Sequence, residues 1–384
     1  MTGLKPHEEV FFSLLRSAMW GTPACVPHDF KEWGQLIKLA KVQSVLGIVS
    51  DVMLSDEDIS SRFSEKAEEK LKSFIMANMM TSERLDKLLA ASVGLLREAG
   101  IRPVLLKGQG LAAYYPSPRL RQCGDIDLYV GPEGYRKAYD AMETIASRMD
   151  DIRKLDIGIH FDVHVGNLDV EIHRFTEVYP TRRLDRIYQA ASDKGMTEGL
   201  VPVRIADMQV DTPSDVFNAF YVFGHMFRHF LYEGVGFRQL CDWMMFLHAR
   251  KDHIDTEALR KLVESMGMMK PWQAFGCVLV EVMGLPADEF PLYDSRYNGL
   301  VGKIVNRILE EGNFGNRRAI FRNKGESYLL NKARSFFSHF IRVYELFSVF
   351  PAHAFRQLWH TLGDSFARVW TDVRIRFGKP SAKN

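Results

Sequence analysis

Asp125 and Asp127 sit at alternate positions of GDIDLYV, an otherwise apolar strand-like run, and a third acid, Glu171, sits in the later run LDVEIHR. Aspartate is a poor strand former. A carboxylate buried without a partner costs several kcal/mol or takes up a proton. Side chains alternate across a strand, so Ile126, Leu128 and Val130 can anchor the first run while both aspartates project from its other face. In the second run Val170 and Ile172 face inward, and Asp169, Glu171 and His173 share the opposite side. If the two strands pair, Asp125, Asp127 and Glu171 form one cluster. Three clustered carboxylates repel one another unless a divalent cation neutralises them. Mg²⁺ suits a few carboxylates plus substrate phosphates. Two such ions clamp the attacking and leaving oxygens of a phosphoryl-type displacement, and a third carboxylate can accept the proton of the attacking hydroxyl. The simpler reading of an Asp-x-Asp pair is a solvated strand face.

Neighbouring residues favour the chemical reading. Lys107-Gly108 closes a strand and opens a helix, which offers backbone N–H groups and one cation to a phosphate. Arg119 and Arg121, just before the aspartates, could pair with a triphosphate or with the acids themselves. His173 shares the face of Glu171 and could tune it. His225 and His229 stand four apart on one helical face, but no glutamate follows the first and no third ligand is evident, so helix packing or a place in the cleft is preferred to zinc. Arg238 and Asp242 are also four apart, the spacing of a helical ion pair. Cys123 lies beside the aspartates without any mark of a nucleophile.

The elements that must position these residues can be read from periodicity. Residues 7 to 100 read as helices, broken at Gly21-Thr22-Pro23 and around residues 55 to 60. IRPVLLKG is a strand entering a glycine turn, QGLAAYYP a short helix stopped at Pro116, GDIDLYV a strand, and EGYRKAYDAMETIASRM an amphipathic helix. IGIHFDVHVGNLDVEIHRF reads as a hairpin turning at Gly166-Asn167. The order β-α-β-α-β-β over residues 101 to 175 describes a small mixed sheet. Beyond it Thr212-Pro213-Ser214-Asp215 reads as a helix start, with Thr212 as the cap. Helices follow to about Val369. The expected fold is therefore α+β: an N-terminal helical region (1–100), a mixed-sheet core (101–210) and a C-terminal helical domain (211–384).

VLLKGQGLAAYYPSPRLRQCGDIDLYV followed by DVEIHR resembles the nucleotidyltransferase superfamily of DNA polymerase β. More narrowly, it is similar to a bacterial branch of nucleotidyltransferases with a K-G…Y-P…R…G-D-I-D-L core. The resemblance implies that Gly108 is the turn glycine, Asp125 and Asp127 the metal-binding pair, and Glu171 the third carboxylate. Lys107-Gly108-Gln109 stands where the superfamily usually has Gly-Ser, and the gap to the aspartates is longer than usual. The Lys-Gly form is also similar to toxin-type nucleotidyltransferases of bacterial defence systems, in which a lysine helps hold the nucleotide. The expected activity is Mg²⁺-dependent transfer of a nucleoside monophosphate from an NTP, ATP among them, to an acceptor hydroxyl with release of pyrophosphate. Two ions are expected, with Lys107, Gly108, Arg119 and Arg121 holding the nucleotide. The competing reading is a non-catalytic nucleotide-binding or scaffold module that keeps the fold.

Composition bounds the partners. The chain has 384 residues, enough for two or three domains, and 46% hydrophobic residues. Its 50 basic and 48 acidic residues give a formal charge of +2, so no strong field calls for a stable nucleic-acid partner. That balance favours a sugar or other small acceptor over a protein or a tRNA. Four scattered cysteines without a CxxC pair suit a reducing cytoplasm, and no apolar run is long enough to span a membrane. The basic and aromatic segment 332–377 either packs on its own domain or makes weak contact with a membrane surface or nucleic acid.

Overall fold

The computed structural model describes residues 3–152, 155, 158–313 and 346–354. Five helices come first: α1 (Pro6–Trp20), α2 (Trp33–Val42), α3 (Leu46–Ser55), α4 (Glu57–Ser60) and α5 (Glu65–Glu98). Pro6 occupies the first turn of α1, the Glu8 carboxylate accepts from the Lys5 N–H at its start, and Gly21 ends it in the left-handed region. Gly100, with a φ of 74°, turns the chain from α5 into β1 (Val104–Leu106). There follow α6 (Gly108–Ala112), β2 (Asp125–Tyr129), α7 (Gly131–Met142), β3 (Arg148–Met149), β4 (His160–Val165) and β5 (Leu168–His173). Next are α8 (Arg182–Thr197), β6 (Val201–Ile205) and β7 (Met208–Thr212). The chain continues through α9 (Asp215–Tyr232), α10 (Phe237–Arg250), α11 (Thr256–Ser265), α12 (Met269–Glu281) and α13 (Val301–Glu311).

The sheet has seven strands in the order β3-β4-β5-β2-β1-β7-β6. β2 and β5 run parallel, as do β1 and β7; the other neighbours are antiparallel. The expected α+β class holds, and the hairpin turns at Gly166-Asn167 as read from the sequence. Three readings are corrected. The helix expected over EGYRKAYDAMETIASRM stops at Met142, and Arg148–Met149 form strand β3 instead. The β6–β7 hairpin was not anticipated, and it widens the sheet beyond β1. Thr212 is not a helix cap: it ends β7, its hydroxyl donates to the Val201 carbonyl, and Ser214 stands at the cap position of α9.

One face of the sheet is apolar. Leu105, Ile126, Leu128, Phe161, Val163, Val170 and Ile172 pack against the α5 stripe Leu85, Leu89, Val93, Leu96 and against Tyr135, Ala138 and Met142 of α7. The opposite face carries Val104 and Leu106 into a second core with α6, α9 and α10. That core also takes in α1 to α3, because Phe237 of α10 meets the rings of Phe11 and Phe12 edge-on at 5.7 and 4.9 Å. Of the basic and aromatic segment 332–377, only 346–354 is described; the rest lies outside the described residues. Within it Leu346, Val349, Phe350 and Ala354 are buried in the helical core. No helix among the described residues is long and apolar enough to cross a membrane.

Candidate active site

The sequence alternation survives in the sheet. Parallel pairing sets Asp125 against Asp169, Asp127 against Glu171 and Tyr129 against His173, so the acids of β2 and β5 share the face turned toward α9 and α10. Ile126, Leu128, Val170 and Ile172 are fully buried on the other face and hold the register, since a one-residue slip would turn the acids into the core. Asp127 is the buried member, only 2% exposed, whereas Asp125 stands at the solvent-facing strand end.

Asp127 is neutralised from two directions. The Lys107 Nζ lies 3.0 Å from its Oδ1, and the His173 Nε2 donates to the same oxygen at 3.1 Å. Burial alone would raise the Asp127 carboxyl, but the Lys107 charge and the bonds from His173 and Lys107 hold it far below the ordinary carboxylate range. His173 Nε2 also lies 3.3 Å from Glu171 Oε2. Burial pulls the imidazole down, yet the two carboxylates it faces push it up to about 9. Reciprocally, the His173 hydrogen bond keeps Glu171 ionised, with its pKa below the usual value. Lys107 is likewise raised: burial opposes its charge, and Asp127, Asp125 and Glu171 outweigh burial. Asp125 is also raised, first by the nearby Asp127 charge and then by burial, which for a carboxyl disfavours the charged form.

Lys107 reaches Asp127 because of an unusual turn. Lys107 has a φ of 35° and Gly108 a φ of 45°, consecutive left-handed values that β1 needs to break sharply into α6. A β-carbon on Gly108 would also stand 3.4 Å from the Asp125 carbonyl oxygen. Lys107, Gly108, Asp125 and Asp127 form one wall of a cleft, and His225 of α9 and Arg238 of α10 form the other. Burial, then the Lys107 charge, pushes the His225 imidazole well below its ordinary value, so it faces the cleft uncharged.

The remaining expected residues separate. Arg121 is buried and bound in a fork to Asp242, Nε to Oδ1 at 2.6 Å and Nη2 to Oδ2 at 2.7 Å, and Tyr115 donates to the same carboxylate at 2.6 Å. It borders the cleft while its charge is spent on α10. Arg119 is exposed and lines a different groove, beside Asp51, Asp86 and Gln109. The expected Arg238–Asp242 contact is present but longer, 3.7 Å. His229 packs against His225, ring nitrogens 3.0 Å apart, and its Nδ1 lies 2.8 Å from Glu233, as suits a helix-packing role. Sequence reasoning missed the Arg121–Asp242–Tyr115 knot, in which Asp242 lies more than a hundred residues from its two partners. It also missed His160, which pairs with His173 across β4 and β5.

The donor set fits a divalent oxygen-loving cation. Asp125, Asp127 and Glu171 share one face, the protein answers their charge with a lysine and a histidine, and Asp125 stays disfavoured as an anion by its neighbour. An added cation would relieve that repulsion.

A family model described as an uncharacterised nucleotidyltransferase matches residues 29–284, from just before α2 to just beyond α12. No curated protein and no solved structure matches the chain.

Proposed function

The chain belongs to the uncharacterised nucleotidyltransferase family, and on that premise we propose that it moves a nucleoside monophosphate from an NTP to an acceptor hydroxyl, with Asp125, Asp127 and Glu171 as its catalytic carboxylates. The observation that carries this reading is the β2–β5 register, which aligns Asp127 with Glu171 on the cleft-facing side while Lys107 bridges to Asp127 at 3.0 Å. Mg²⁺ held by the three carboxylates would supply charge neutralisation to the phosphates and lower the pKa of the attacking hydroxyl.

The chain's own groups supply the rest. Lys107 is the nearest cation to the acids and, with the N–H groups of the Gly108 turn, is suited to the phosphates of the donor. His173 keeps Glu171 ionised, the state that can take the proton from the acceptor hydroxyl. The hydroxyl oxygen bonds to the α-phosphorus, the bond from that phosphorus to the bridging oxygen breaks, and pyrophosphate leaves with the electron pair. The uncharged His225 imidazole and the Arg238 guanidinium, on the helical wall, are placed to face the donor or the acceptor. The near balance of charge in the chain favours a sugar or other small acceptor.

Pyrophosphate release with Mg²⁺, NTP and a cell extract as acceptor source tests the reading in Asp127→Asn. The variant should keep the wild-type fold by circular dichroism and lose release by at least about a hundredfold, as expected when a group acting in the transition state is removed. Release at the wild-type rate would refute it.

A further inference from the structure

The carboxylate face does not end at β5. Across β2, β5 and β4 two rows of side chains lie side by side: Asp127, Glu171 and Asp162 form one, and Tyr129, His173 and His160 the other. Glu171 thus has Asp127 on one side and the β4 residues on the other. His160 and His173 have ring centroids 5.0 Å apart. One ring nitrogen of each histidine and one oxygen of Glu171 lie within 4.8 Å of one another. A second observation points the same way. His173 is only 4% exposed, yet its Nδ1 has no hydrogen-bond partner, and neither does the buried His160 Nδ1; Asp162 Oδ1 has only the longer contact to His160 Nε2 at 3.6 Å. Buried polar atoms are rarely left so, and together these side chains are groups that could take a ligand.

We propose that His160, Glu171 and His173 form a second cation site, for a divalent transition metal of the zinc class, that shares Glu171 with the aspartate pair. Two imidazoles and one carboxylate are the donors that zinc accepts with a position left open, whereas magnesium takes oxygen almost alone. Asp162, paired with Glu171 across the strands, is placed to orient the carboxylate or add a fourth oxygen. His160 and Asp162 are partly exposed, which gives the ion a path from solvent. The site goes beyond the transferase reading and does not need it; only Glu171 joins the two.

The test is a calorimetric titration of Zn²⁺ into tag-free, chelator-treated full-length protein, without nucleotide and with Mg²⁺ in large excess. The wild type should take up one equivalent. His160→Ala and the milder His160→Gln should bind at least about tenfold more weakly, the lower bound for disturbing a metal's surroundings. His164→Ala, four residues along the same strand, should bind like the wild type. Co²⁺-loaded wild type should show visible d–d absorption that His160→Ala lacks. Absence of saturable Zn²⁺ uptake, undiminished affinity in both His160 variants, or equal weakening in His164→Ala would overturn the site. Because no nucleotide is present, each of these results is independent of whether transfer occurs.

Discussion

Asp242 accepts a fork of hydrogen bonds from Arg121 and another from Tyr115, all inside the protein. Burial would raise its carboxyl, but Arg121 and then Arg238 and Tyr115 outweigh burial and keep it below the ordinary value. Asp242→Ala should therefore cost about 3–5 kcal/mol in urea denaturation, because it leaves the Arg121 guanidinium buried without a counter-charge. The sign of the pH dependence follows from the depressed folded value. The stability Asp242 contributes is present above its unfolded pKa of about 3.9 and is lost as pH falls through the lower folded value. Asp242→Asn should accordingly show a shallower loss of stability in acid than the wild type; an identical acid limb would contradict the assignment. For Lys107, Lys107→Met should weaken NTP binding by at least about tenfold, about 1.4 kcal/mol, measured by thermal-shift titration. Unchanged binding would remove Lys107 from the nucleotide site. The pairing of Arg121 with Asp242 was not legible in the sequence. The i,i+4 spacing pointed to Arg238 instead, and nothing local in a chain reports a partner 121 residues away.

At the scale of elements, the β1–α6 turn decides where Lys107 points. Gly108→Ala would force a β-carbon onto a residue at φ 45° and set it 3.4 Å from the Asp125 carbonyl oxygen. It should cost about 1–2 kcal/mol by chemical denaturation, the usual penalty of a left-handed residue. A neutral result would mean that the turn relaxes without strain. The β2 strand and the β4–β5 hairpin were legible because strict alternation and a Gly-Asn turn are strong local signals. The β6–β7 hairpin carries the same alternation, with Val203, Ile205 and Val210 buried, and could have been found by it. Its turn is Ala206-Asp207, where Ala206 takes a φ of 50°, so the glycine or asparagine that marks most such turns is missing. The start of α9 departs from the expectation for a related reason: Thr212-Pro213 looks like a cap, but the ladder to β6 claims Thr212. The acids were legible as a cluster. Their neutralisation by Lys107 and His173 was not, since it depends on how β1, β2 and β5 lie together.

For the whole molecule, the sequence divides at about 100 and 210, where helix gives way to sheet and back, yet packing runs across those divisions. α5 covers the apolar face of the sheet, and α1 to α3 share a core with α9 to α13. Trp20 donates to the Met283 carbonyl at 2.7 Å and Arg16 to the Val282 carbonyl at 2.9 Å, tying the first helix to the loop after α12. Phe237→Ala, at the junction of the two helical flanks, should cost about 3–5 kcal/mol. It should shift one cooperative transition seen alike by tryptophan fluorescence and far-UV circular dichroism; two separated transitions would show that the flanks unfold independently.

The cleft between that sheet and those helices exists, on this account, to transfer a nucleotide, and one measurement bears on this most directly. Wild-type protein and Asp127→Asn are each incubated with one NTP at a time, Mg²⁺ and a cell extract, and the products are searched by mass spectrometry for the added mass of a nucleoside monophosphate. The account predicts at least one such adduct, formed with wild type and absent with the variant. No adduct with any NTP, or the same adduct at the same yield with Asp127→Asn, would contradict it.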